Sequence, residues 1–161
     1  IRTSQTADDR LRLAGYGATD LVVSRVGTLG LGTVIVTAVS VLVAVQAFTP
    51  ESLAPFIIAT LLVGLTYGIL GVVVGIVIGR LGGVYVMLFA PMVDILMFQN
   101  PLATDAPEWT TVLPSKYATN ALFEAAFTTS VDLWDFGLAV VYAAILLTIG
   151  ILIFYRATDV E

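Results

Sequence analysis

Three stretches of this sequence run uncharged for at least the thickness of a bilayer's hydrocarbon core. Between Arg25 and Glu51 lie 25 uncharged residues, between Glu51 and Arg80 lie 28, and between Asp135 and Arg156 lie 20. At 1.5 Å per helical residue, about 20 apolar residues cross a ~30 Å core. A charge at the bilayer centre costs about 2.5–3.5 kcal/mol, so runs this long are the mark of membrane helices. Composition agrees: 58% of the residues are apolar and 12% charged, against about 25% charged in soluble domains. A water-soluble globular domain is excluded, and the expected class is an all-α, polytopic membrane bundle.

The segment Leu81–Phe98 is less simple, because Pro91 and Asp94 interrupt it after GVYVMLFA. It can be read as a re-entrant hairpin or as a short, kinked fourth span. The basic residues decide. If it spans, Arg2, Arg10, Arg12, Arg25, Arg80 and Arg156 share one side and only Lys116 lies on the other, as the positive-inside rule requires of a cytosolic face. The expectation is therefore four transmembrane helices with both ends of this segment cytosolic, in the plasma membrane.

Four regions follow. Residues 1–25 form a cytosolic juxtamembrane segment, 26–98 three spans, 99–135 an external segment, and 136–161 the last span and its tail. In the external segment Pro101, Pro107 and Pro114 break the first part, and SKYATNALFEAAFTT follows. Ser115 is placed to cap a helix. Lys116, Asn120 and Glu124 recur every fourth residue, with Ala118, Leu122 and Ala125 on another face. This predicts a short amphipathic helix on the outer surface or dipping into it, with Trp109, Tyr117 and Trp134 near the interface.

The second span carries Gly64, Gly68, Gly71, Gly75 and Gly79, a single stripe on an α-helix that allows close approach of another backbone. Packing within one subunit and a sliding seam in a transporter both fit it. Thr33, Thr37 and Ser40 form a weaker polar stripe on the first span, whose hydroxyls can bond their own backbone.

The sequence has no cysteine and no histidine. Disulfides, thiolate nucleophiles, imidazole bases and the common zinc and haem ligand sets are thereby removed. No GxxxxGK[ST] phosphate loop is present. No catalytic residues, metal site or cofactor are expected, and the net charge of −5 with a single lysine argues against a nucleic-acid partner. Asp94 is the one ionisable residue inside an apolar segment. It is either a functional carboxylate of the membrane interior or a solvated or capping group near the outer end of a short span.

The order of these features resembles the C-terminal two-thirds of a type-2 ABC transporter permease. LRLAGYGATDLVVSR resembles the cytosolic stretch leading into that family's third span, and LPSKYATNALFEAAF its external proline-plus-helix pattern before the last span. Six spans are usual there, so the first two would precede Ile1. The resemblance implies a permease subunit that exports an unidentified substrate and pairs with a second permease subunit, identical or not. A separate ATPase would drive it through a coupling contact at Arg10, Arg12 and Asp20. A non-transporting membrane anchor or assembly protein, using the glycine stripe and external helix for partners, is the alternative. An intramembrane enzyme is disfavoured by the missing His and Cys.

Overall fold

The computed structural model describes residues 18–99 and 108–159. Every regular element among them is helical. In chain order these are α1 (Ala18–Ala47), α2 (Leu53–Ile78), α3 (Arg80–Val93), a π-helical turn (Asp94–Phe98), a 3-10 turn (Glu108–Val112), α4 (Lys116–Phe127) and α5 (Leu133–Asp159). Four segments are long and apolar enough to cross a membrane: Val26–Ala47, Leu53–Ile78, Leu81–Phe98 and Leu133–Ile153.

The helices α2 and α3 are joined by Gly79 alone. Its φ of 90° lies where a side chain would be strained and glycine is not, so the chain can reverse in one residue. The two helices then zip together residue by residue. A methyl group on Gly83 would lie 2.9 Å from the Gly75 Cα, and one on Gly71 would lie 3.6 Å from the Met87 Cγ. Twelve residues before the turn, Tyr67 meets Asp94, fifteen after it.

The glycine stripe of α2 serves two neighbours rather than one. Gly64 and Gly68 face α1, where a methyl on either would come within 3.0 Å of the Thr33 Cγ2 or 3.1 Å of the Leu29 Cδ1. Thr33 and Thr37 are buried there, and the Thr33 hydroxyl donates to the Leu29 carbonyl at 2.8 Å, which satisfies it within its own helix. Ser40, the third hydroxyl of that stripe, is exposed. Further along α2, Gly71 faces α3. Gly75 is approached by the backbone of Gly83, yet its own missing side chain would point into open space.

The helix α4 stands alongside α2 instead of lying flat across its end. Ala118 packs with Leu62 and Ala139 in one buried cluster, while Ala125 and Ala126 pack with Phe56 in another, flanked by Val41, Ala44 and Phe48 of the α1–α2 corner. Leu62 is nine residues into α2, or about 14 Å from its start at 1.5 Å per residue. The α4 helix therefore runs antiparallel to α2 through roughly that depth. At the top the two ends satisfy each other: the Ser52 N–H donates to the Ala125 carbonyl at 3.1 Å and the Glu51 N–H to the Ala126 carbonyl at 3.2 Å. These are groups that helix ends ordinarily leave unpaired, and the negative end of one helix dipole meets the positive end of the other. α5 then descends beside α4, with Tyr142 against Tyr117 at 5.3 Å between ring centres.

The hairpin geometry separates two glycines that look alike in the sequence. Gly83→Ala forces backbone apart and is expected to destabilise the protein by about 1–3 kcal/mol, the usual cost of overpacking. Gly75→Ala meets no neighbouring atom within 4 Å and is expected to be neutral. Unfolding midpoints of the two variants in detergent micelles check this, and equal midpoints would contradict the zipped hairpin.

Candidate functional site

The break in α3 begins with Pro91. A proline inside a helix lacks the N–H that bonds four residues back and crowds the carbonyl there. The chain responds by widening into the π-helical turn Asp94–Phe98, in which the Gln99 N–H reaches the Asp94 carbonyl at 2.9 Å, five residues back. Such turns recur at functional positions of helices. Here the wider turn carries Asp94 at its start and Gln99 just past its end.

Four side chains from three parts of the fold meet at this point. The Tyr67 hydroxyl, from α2, donates to Asp94 Oδ2 at 2.6 Å. The Ser115 hydroxyl, immediately before α4, also donates to Asp94 Oδ2. The Gln99 amide Nε2 donates to Asp94 Oδ1 at 2.7 Å and to the Ser115 Oγ at 2.7 Å. Ser115 and Gln99 are buried, and Asp94 and Tyr67 are half-buried. Tyr67 is fourteen residues into a 26-residue helix, about 21 Å from one end and about 17 Å from the other. On a helix that spans a ~30 Å hydrocarbon core, that is near the midplane.

This placement differs from a carboxylate solvated near the end of a short span. Among the described residues Asp94 caps no freed backbone N–H group, and its partners there are three uncharged side chains. The Ser115 hydroxyl makes no cap to α4; it is turned to Asp94 instead. Tyr67 and Gln99 are absent from the candidates read in the sequence. A signal for Tyr67 exists in it: counting back from a turn at Gly79–Arg80 places the one tyrosine of α2 close to the level of Asp94.

Lys116, Asn120 and Glu124 share a face of α4, and this face is turned to its neighbours. The Lys116 Nζ lies 3.4 Å from the Thr110 Oγ1 of the 3-10 turn. Asn120 hydrogen-bonds Asp135 at the start of α5. Glu124 Oε2 accepts from the Asp132 N–H at 3.0 Å. The face thus ties α4 to the segment on either side of it. Trp134 is 69% exposed, as an interfacial anchor would be. Asp20 is exposed in the first turn of α1, and Arg10 and Arg12 lie outside the described residues.

Chemically, the cluster is a carboxylate surrounded by neutral donors. Among the described residues no three His, Cys, Asp or Glu side chains converge on a metal position. What it can do is hold charge in an apolar setting and tie three helices together. Comparison of the chain with protein-family models, with characterised proteins and with solved structures finds no match.

Replacing Asp94 by Ala strands Tyr67, Ser115 and Gln99 together, whereas Asn keeps an acceptor for them once the Gln99 amide adjusts. Each stranded buried donor costs about 1–3 kcal/mol. Asp94→Ala is therefore expected to lower the unfolding midpoint well below that of Asp94→Asn, measured side by side in the same detergent. Indistinguishable midpoints would show that the cluster does not hold the helices.

Proposed function

We propose that this chain is the membrane-spanning part of a permease subunit in an ATP-driven transporter of the type-2 ABC class, exporting a substrate that its residues do not name. One observation supports this reading above the others: the described part of the segment between the third and last spans is folded into short helices, of which α4 packs into the bundle. A tether would leave that segment outside. In the proposed orientation, set by the arginines, the Gly79 turn and both ends of the chain face the cytosol and α4 descends from the outer face.

The residues divide the work accordingly. ATP hydrolysis belongs to a separate ATPase subunit, met through Arg10, Arg12 and Asp20, the last in the first turn of α1. A second permease subunit, identical or not, and lipid share the apolar surface left open on α1 and α3, where Val36, Leu42, Leu81, Leu88 and Phe89 are all exposed. Transport then uses movement of one subunit against the other around a path between them.

The test is reconstitution of the purified permease with its ATPase in vesicles. Substrate-stimulated ATP hydrolysis is expected, and Arg10→Glu with Arg12→Glu is expected to abolish the stimulation while leaving membrane insertion intact, because the change reverses charge at the docking surface. A chain that purifies with no ATP-hydrolysing subunit and inserts normally is an anchor or assembly protein, and the transport reading fails.

A further inference from the structure

We propose that Asp94, Tyr67, Gln99 and Ser115 form a binding site for one small monovalent cation, a proton or an alkali metal ion, near the middle of the α2–α3 hairpin. The proposal stands on the hydrogen inventory of the cluster and is independent of the transport reading. Its side chains carry four donor hydrogens when Asp94 is ionised: one on Tyr67, one on Ser115 and two on the Gln99 amide. All four are spent in the four bonds within the cluster. What remains is acceptor capacity and a negative charge. Gln99 is 9% exposed, and its Oε1 is buried with no hydrogen-bond partner. Burying such an oxygen unpaired costs about 1–3 kcal/mol.

Anything that completes the cluster must therefore accept electron pairs. Its ligand atoms are carboxylate, amide and hydroxyl oxygens, the set that suits hard cations. One carboxylate balances one positive charge; a divalent ion would leave the site charged at mid-span, where charge is most costly. The π-helical turn adds adaptability, since Gln99 follows it directly and can present either end of its amide to the carboxyl group.

Among the described residues the charged groups nearby do not already fill this role. On α2 the titratable neighbour is Tyr67. Next to Ser115 on α4, the Lys116 ammonium is directed to Thr110. Asp135 of α5 has Asn120, Glu124, Asp132 and Lys116 as its electrostatic neighbours, all belonging to the α4–α5 pair.

Infrared difference spectroscopy of the full chain in lipid nanodiscs tests this directly. Sodium is exchanged for choline at constant pH and ionic strength in one arm, and pH is stepped in choline in the other. Sodium binding is expected to move a carboxylate stretch, whereas proton binding produces a protonated-carboxyl band that is indifferent to sodium. In either case the responding band is lost in Asp94→Asn. Tyr67→Phe, which leaves the carboxyl group in place and guards against misfolding of the first variant, is expected to shift the midpoint of the response by about tenfold in cation concentration, the equivalent of one hydrogen bond of about 1.4 kcal/mol. A protein whose spectrum shows no response to either cation, or a response that both variants leave unchanged, overturns the proposal.

Discussion

A carboxylate deep in an apolar helical bundle has to be met by the protein itself, because hydrocarbon offers it no hydrogen bond. Asp94 is met by Tyr67, Ser115 and Gln99, and each of these comes from a different part of the chain. The tyrosine brings in α2, the glutamine fixes the chain just beyond the π-helical turn, and the serine draws the start of α4 down to the level of Tyr67. The position of α4 follows. With Ser115 held at that depth, the ten or eleven helical residues that follow rise about 15–17 Å, which carries Ala125 and Ala126 to the N–H groups at the head of α2.

The remaining contacts exploit small side chains, as packing among helices in lipid generally does. Gly83 on Gly75 closes the α2–α3 hairpin, Gly64 and Gly68 admit Thr33 and Leu29 of α1, and the alanine face of α4 nests against Leu62 and Phe56. None of these carries an energetic specificity of its own beyond close fit. The directional bonds at Asp94, and those tying Glu124 and Asn120 to the head of α5, set the register in which the small residues meet.

The sequence makes three of the four apolar helices legible, since a run of twenty or more uncharged residues has few other uses, whereas the fourth, interrupted by Asp94, is read from the placement of the basic residues. The reversal at Gly79–Arg80 is equally visible as the one break between two spans. The α4 helix was readable from its four-residue period, but its depth was not. An alanine face can rest on lipid or on other helices, and the period is the same in both cases; only the small size of Ala118, Ala121 and Ala125 hints at close packing. The environment of Asp94 was the least accessible. A proline followed by an aspartate describes a break in a helix without saying where along the neighbouring helix the break falls. Ser115 shows the related difficulty that a cap and a cross-helix bond call for the same residue.

The depth of α4 is the claim on which the rest turns, and disulfide trapping measures it most directly in a chain that has no native cysteine. Cysteines at positions 62 and 118, tested in native membranes under mild oxidation, should join efficiently, while a pair at 78 and 118, separated by about 24 Å along α2, should not. A 62–118 pair that stays reduced while position 118 reacts freely with a membrane-impermeant thiol reagent would place α4 out in solvent and contradict the account.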